Sequence, residues 1–199
     1  GLECMERTKI AIADDNQSIL EALRSVIDEE DDMRIVGTAD NGADTVKMIR
    51  ESNPDVVLLD LIMPGIDGIT VMEKVREDKT LNSKPDFIVI SAVGRDSVTE
   101  DAFNMGAAYY IMKPFDNEVL VNRIRYIRNQ HDKVSVKTVP REPVSITDRN
   151  LETDITNIIH DIGIPAHIKG YQYLRDSIIM AIENPDIIKL YEEYLGKPL

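Results

Sequence analysis

Five polar residues in the amino-terminal part of the chain each come directly after a short apolar segment. They are Asp14, Asp15, Asp60, Ser91 and Lys113. Taken singly, each has an ordinary explanation as a helix cap or a solvated charge. If the apolar segments are parallel strands of one sheet, however, all five residues lie at its carboxyl edge, where open α/β sheets hold ligands and reactive groups. A carboxylate nucleophile, a cation and a hydroxyl at such an edge are suited to phosphoryl transfer.

The three carboxylates of this set also predict a metal site. Carboxylates held together repel one another by about 4 kcal/mol per pair at roughly 4 Å and an effective dielectric constant near 20. A divalent cation removes this repulsion, and carboxylate oxygens with room for water suit Mg²⁺. Lys113 supplies a point charge that can pair with Asp60 at rest and with a phosphoryl oxygen after transfer.

Hydrophobic periodicity predicts the elements that position these residues. The four apolar residues Val56–Leu59 indicate a strand buried on both faces, as in the centre of a parallel sheet. Strands and helices alternate five times, which predicts an α/β fold with a five-stranded doubly wound parallel sheet. The predicted strands are 9–13, 34–39, 56–59, 87–91 and 108–112, and the last two predicted helices of this region are 98–105 and 118–130.

The character of the sequence changes after residue 130. Residues 131–150 are polar, include Pro140 and Pro143, and read as a linker. From residue 151 the apolar spacing is helical again, and it predicts a short all-α segment of two helices. One apolar stripe joins them: Ile155, Ile158, Ile159, Ile162, Ile178, Ile179 and Ile182.

Composition excludes several classes of protein. The chain has 23 Lys and Arg against 36 Asp and Glu, a net charge of −13, which repels nucleic acid at long range. It has neither an apolar run of roughly 20 residues nor a signal-peptide pattern, so we expect a cytoplasmic protein with no membrane partner. The single Cys4 cannot form an internal disulfide.

The motifs together resemble the receiver domains of two-component response regulators. The resemblance rests on the acidic pair, the stretch DLIMPGIDG at 60–68, a hydroxyl residue after the fourth strand, and Lys-Pro-Phe at 113–115. It implies a flavodoxin-like receiver domain over residues 5–130 that accepts a phosphoryl group on Asp60, assisted by Lys113 and Ser91. It also implies that Mg²⁺ is held by three carboxylates and one main-chain carbonyl, those of Asp14, Asp15, Asp60 and Ile62.

The resemblance further implies how such a domain works. Ser91 and Tyr110 take the positions of the family's switch pair, in which the aromatic ring turns into space that the hydroxyl residue vacates. Tyr110 as a plain packing residue is the alternative. The implied partners are a phosphohistidine-bearing phosphotransferase or a histidine kinase, with homodimerisation on phosphorylation. A receiver of this kind is a phosphoacceptor that assists its own phosphorylation and dephosphorylation, not a turnover enzyme.

The carboxyl-terminal segment carries a second resemblance. Residues 158–180 are similar to the start of the DNA-binding effector domain found in the response regulators that control sporulation in endospore-forming bacteria. This implies membership of a sporulation phosphorelay, with 151–199 as a partial helical effector segment. Because no later helix is predicted that could enter a major groove, we expect no specific DNA binding by this chain as given.

Two other functions compete with this interpretation. Phosphatases of the aspartyl-phosphate type also place an Asp nucleophile after a parallel strand, but they generally have a second Asp two residues later as general acid. That position is Ile62 here, which disfavours a phosphatase. A stand-alone receiver that signals through protein docking stays open, because the sequence does not separate it from a regulator that lacks most of its effector.

Overall fold

The computed structural model describes residues 7–132, 151–161 and 171–183. Its first unit alternates five strands with five helices, as the sequence predicts. The strands are β1 Thr8–Ala13, β2 Met33–Ala39, β3 Val56–Leu59, β4 Asp86–Ser91 and β5 Ala107–Met112. The helices are α1 Gln17–Asp28, α2 Gly42–Ser52, α3 Gly68–Glu77, α4 Asp96–Asn104 and α5 Asn117–Asp132.

The strands form one parallel sheet in the order β2-β1-β3-β4-β5, with helices on both faces. Side chains of β1, β3, β4 and β5 that point to one face pack against α1 and α5. Those that point to the other face pack against α2, α3 and α4. All four residues of β3 are buried, which confirms it as a central strand. The doubly wound parallel sheet of the sequence analysis is therefore confirmed.

Gly42 allows the loop after β3 to lie against the start of α2. A Cβ atom at Gly42 would stand 2.0 Å from the main-chain oxygen of Ile66 and 2.7 Å from its Cβ atom. Gly37 offers a matched comparison, because the atoms closest to a Cβ atom there would belong to the flexible side chain of Met48, the nearest at 2.7 Å. The loop that follows Asp60 is thus set in place by a glycine on another element.

We expect Gly42→Ala to lower the free energy of unfolding by about 1 to 3 kcal/mol, because backbone must move to admit the methyl group. Gly37→Ala should cost less, since Met48 can change rotamer. Urea denaturation followed by circular dichroism measures both losses. Equal losses in the two variants would show that the contact with Ile66 does not constrain the loop.

Helix α5 is longer than predicted and ends at Asp132, so residues 131 and 132 of the predicted linker are helical. Basic side chains on its second half contact carboxylates at the amino edge of the sheet. Arg125 Nε lies 2.8 Å from Asp32 Oδ2, and His131 Nε2 lies 2.9 Å from Asp86 Oδ2. These long-range contacts support the last turns of the helix, and they could not be read from its own sequence.

The chain divides into two compact units, Gly1–Arg141 and Glu142–Leu199. In the second unit α6 Leu151–Asp161 and α7 Tyr171–Glu183 pack together. Ile155 and Ile159 are buried there against Ile178 and Ile179, as the stripe predicts, whereas Ile182 is 41% exposed. Ile162 and most of the predicted linker lie outside the described residues, and the domain limits remain a prediction. No helix in the described ranges has the length and apolar character that crossing a membrane requires.

Candidate functional site at the carboxyl edge of the sheet

Three carboxylates converge where β1 and β3 end. The amide of Asp60 donates to the carbonyl of Ala13 at 2.8 Å, so the residue after β3 is fixed beside the residues after β1. One carboxylate oxygen from each of Asp14, Asp15 and Asp60 lies within 4.8 Å of the others. Asp14 and Asp60 are buried, and Asp15 is exposed. The structure thus brings together the three predicted metal ligands whose side chains carry oxygen.

Lys113 binds two of these carboxylates at once. Its Nζ donates to Asp14 Oδ2 at 2.6 Å and to Asp60 Oδ2 at 2.7 Å. The main chain that carries it is tied to β4, because Lys113 N donates to the carbonyl of Ser91 at 2.9 Å. The Lys113–Pro114 peptide bond is cis. The contact with Asp60 was expected, but the equally short contact with Asp14 was not.

Burial and hydrogen bonding set the charges of this cluster. Burial raises the pKa of Asp14 above its ordinary value, and the hydrogen bond from Lys113 offsets only part of that rise. For Lys113, burial lowers the pKa, but the hydrogen bonds to Asp14 and Asp60 outweigh burial and leave the pKa above its ordinary value. The ammonium is therefore charged at neutral pH and faces two acidic groups.

The loop after β3 fixes the second oxygen of Asp60. Ile62 N donates to Asp60 Oδ1 at 3.1 Å, so the main chain of Ile62 lies beside the site, while its side chain is 58% exposed. The start of α3 also approaches closely, because a Cβ atom at Gly68 would stand 2.5 Å from the carbonyl oxygen of Asp60. The predicted role of the Ile62 carbonyl as a metal ligand remains a prediction.

Ser91 and Tyr110 lie on neighbouring strands, and both are buried. Ser91 Oγ accepts a hydrogen bond from Val93 N at 3.3 Å, and the hydroxyl of Tyr110 donates to the carbonyl of Val93. Burial is the main cause that raises the pKa of Tyr110 to about 12. Although β5 is an edge strand, the ring packs within the core cluster beneath α2, α3 and α4. The ring therefore occupies an inward position, and its turn on phosphorylation of Asp60 remains a prediction.

The donor set fits a hard divalent cation. Of the three carboxylates that lie within 4.8 Å of one another, Asp14 and Asp60 share the ammonium of Lys113. Oxygen ligands with one exposed member leave access for water, which Mg²⁺ retains in most protein sites. Softer metals that prefer sulfur or imidazole find neither in this cluster.

A doubly wound five-stranded sheet with an acidic cluster and a lysine at its carboxyl edge defines the receiver class of protein. Comparison of the sequence with protein families agrees, because residues 10–125 match the response regulator receiver domain. The chain belongs to the response regulator receiver family. Residues 155–195 match a second family, described as the sporulation initiation factor Spo0A C terminal. The chain is therefore a response regulator similar to stage-zero sporulation protein A, Spo0A.

Solved structures show the same receiver fold. A DNA-binding response regulator of the LuxR family from Staphylococcus aureus is 34% identical, with a TM-score of 0.57 over 61% of this chain and 99% of that one. The receiver domain of AraT from Geobacillus stearothermophilus is 30% identical, with a TM-score of 0.56 over 63% and 98%. CheY from Borrelia burgdorferi, in a complex of CheX, CheY, BeF₃ and Mg²⁺, is 28% identical, with a TM-score of 0.57 over 62% and 90%.

Proposed function

We propose that this chain is a phosphorylation-controlled response regulator in which Asp60 accepts a phosphoryl group from a phosphohistidine of a phosphotransferase or histidine kinase. The observation that carries the proposal is the pair of hydrogen bonds from Lys113 to Asp14 and Asp60 within a cluster of three carboxylates. The family supports it, because receiver domains are generally regulatory phosphoacceptors.

In the transfer step a carboxylate oxygen of Asp60 attacks the phosphorus and forms an O–P bond. The P–N bond of the phosphohistidine breaks, and its electron pair goes to the imidazole nitrogen. Lys113 donates to the phosphoryl oxygens as charge develops on them, since its ammonium already lies 2.7 Å from the attacking group. The Ile62 amide holds Asp60 Oδ1 and so orients the nucleophile.

Asp14, Asp15, Asp60 and the main chain of Ile62 are the groups that would hold Mg²⁺. When bound, this cation supplies neutralising charge to the carboxylates and to the phosphoryl oxygens. The chain's own contribution is to keep the carboxylates together, through the strand ends and through Lys113.

The phosphorylated site is proposed to act through Ser91 and Tyr110 and to favour a homodimer. The match of residues 155–195 supports a role in a sporulation phosphorelay, with α6 and α7 as part of the effector segment. A phosphatase is disfavoured, because the position two residues after Asp60 carries the apolar, exposed side chain of Ile62, which has no proton to donate.

The test is uptake of label from radioactive acetyl phosphate by the purified full chain. With Mg²⁺ we expect about one phosphoryl group per chain, and with excess EDTA we expect uptake to fall by at least roughly 100-fold, because the crowded acidic site then lacks its neutralising cation. Uptake that is equally fast in EDTA would contradict the proposed metal requirement. Absence of uptake under both conditions would contradict the proposed function itself.

Metal affinity should distinguish the two acids after β1. Asp15 is exposed, whereas Asp14 is buried and accepts from Lys113. We therefore expect Asp15→Ala to weaken Mg²⁺ binding roughly 100-fold, because Asp15 is the direct ligand of the two. Asp14→Ala should weaken it only about tenfold, because Asp14 acts on the metal through water. Calorimetric titration measures both, with Asp28→Ala at the end of α1 as control. Equal losses of Mg²⁺ affinity in Asp15→Ala and Asp14→Ala would show that the two acids do not differ in their role.

A further inference from the structure

Strand β2 has a free side. It is an edge strand of the sheet and, among the described strands, pairs only with β1. Successive residues of a strand direct their main-chain groups to opposite sides. The carbonyl of Ala39 accepts from Asp14 N at 3.1 Å, so the main chain of Ala39 faces β1. The amide and the carbonyl of Thr38, one residue earlier, therefore point to the free side of β2.

The end of β2 at Thr38 lies in a groove of about 510 Å³. This volume is within the range of roughly 300 to 1,000 Å³ that is usual for ligand sites. The walls of the groove are two helix stripes, each of four residues spaced three or four apart, from Gln17 to Arg24 on α1 and from Asp44 to Glu51 on α2. A helix thus bounds the free edge of the strand on each side, which suits an extended chain laid along β2.

The groove offers an apolar contact on both faces of the sheet. Leu20 of α1 is buried in the core on one face, and Met48 of α2 packs against the core on the other, and both line the groove. A strand added to β2 would direct its side chains alternately to these two faces. Because a methionine side chain adapts its shape, the α2 wall can accept apolar residues of different sizes.

Charge on the walls selects the kind of occupant. Four acidic and two basic residues line the groove, which leaves a net charge of −2: Glu21, Asp40, Asp44 and Glu51, against Arg24 and Lys47. Lys47 is itself paired with Glu51 at 3.9 Å. A second copy of this chain, with its net charge of −13, is repelled by such a surface, whereas a segment rich in Lys or Arg is attracted.

We propose that the free edge of β2, between α1 and α2, binds an extended basic segment of a protein partner by strand addition. Thr38 exchanges main-chain hydrogen bonds with the segment, and Leu20 and Met48 contact its apolar side chains. Glu21 and Glu51 contact its Lys or Arg residues. Main-chain bonds supply affinity in this mode of recognition, and the walls supply the preference for sequence. The groove does not include Asp60, and the inference does not rest on phosphoryl transfer.

The experiment measures fluorescence anisotropy of a labelled probe peptide, Lys-Val-Thr-Val-Lys-Val, titrated with the full chain at low salt. We expect saturable one-to-one binding, and at least roughly tenfold weaker binding of Glu-Val-Thr-Val-Glu-Val. Thr38→Pro should weaken binding of the basic probe about tenfold, because proline removes the outward amide and leaves the ladder to β1 intact. Thr38→Val keeps the amide and should bind as the wild type does.

A pair of double variants tests the charge of the walls. Glu21→Gln with Glu51→Gln should weaken binding of the basic probe about fivefold at low salt, and the difference should vanish at ~0.5 M salt. Glu73→Gln with Glu77→Gln changes the same charge on the exposed surface of α3 and should bind as the wild type does. If Thr38→Pro does not fold, probes methylated on alternate amides test the main-chain bonds, because one of the two methylation patterns should abolish binding.

The proposal is overturned if the basic probe binds no more tightly than the acidic one. It is also overturned if binding survives unchanged in Thr38→Pro, or with both patterns of methylated probe. Sedimentation velocity tests the other occupant of the edge. A dimer of the wild type that Thr38→Pro abolishes would show that a second copy occupies β2, and this too would overturn the proposal.

Discussion

The chain carrying Asp60→Asn is expected to take up phosphoryl label from acetyl phosphate at least roughly 1,000-fold more slowly than the wild type, because an amide is a very weak nucleophile. The variant should still fold. An asparagine side chain has nearly the same shape, and its oxygen can accept from Ile62 N or from Lys113 as the carboxylate does. Label uptake and intact mass measure the effect.

Asp55→Asn is the matched control for this variant. Asp55 precedes β3 at the amino edge of the sheet, where its carboxylate accepts from Lys9 N at 2.7 Å, and Asp60 follows the same strand at the opposite edge. The control should take up label as the wild type does. Uptake by Asp60→Asn within tenfold of the control would mean that another residue accepts the phosphoryl group.

Replacing the lysine of the site should change metal binding and transfer in opposite directions. In Lys113→Met a side chain of similar length has no charge, so Asp14 and Asp60 lose the ammonium that donates to both. We expect Mg²⁺ affinity to rise about tenfold, because the cation no longer competes with a built-in positive charge. Label uptake should fall roughly 100-fold, since a donor to the developing charge is lost.

The same variant should depend on metal for its stability. Two buried carboxylates without their cation cost about 3 to 5 kcal/mol, and bound Mg²⁺ should recover part of this loss. Thermal unfolding with and without Mg²⁺ measures the recovery, with Lys47→Met on the exposed surface of α2 as control. If metal affinity and label uptake fell together, Lys113 would be a structural support of the metal site and not its competitor.

The sequence predicted the strands, and it predicted that the polar residues after them lie at the carboxyl edge of the sheet, because both follow from local patterns. Four consecutive apolar residues in β3 are typical of a central strand that is buried on both faces, and the polar residue that follows such a strand lies at the carboxyl edge. Which of these polar side chains bond to one another depends on the directions of the side chains, and residue spacing in the sequence does not give those directions. The bond between Lys113 and Asp14 was missed for this reason, since the acidic pair offered two candidates of the same charge.

Element ends were less predictable where no local signal marks them. Helix α4 begins at Asp96 and not at the predicted residue 98, because Arg95 is not a capping residue and gives no sign of a start. Helix α5 runs past its predicted end because His131 pairs with Asp86, 45 positions away in the sequence. The sequence did not decide whether Tyr110 is buried, for a similar reason. The alternation of residues along β5 shows which face of the sheet each side chain takes, but not how deeply a helix covers that side chain.

The most direct measurement of the central claim is the location of the phosphoryl group on the chain. After reaction with acetyl phosphate and Mg²⁺, borohydride reduction converts an aspartyl phosphate to homoserine, and cleavage after Arg50 and Lys74 releases the peptide 51–74 for sequencing by mass spectrometry. We predict homoserine at position 60 and unmodified Asp55 and Asp67 in the same peptide. Homoserine at either of those positions, or phosphate retained on another residue, would contradict Asp60 as the phosphoacceptor.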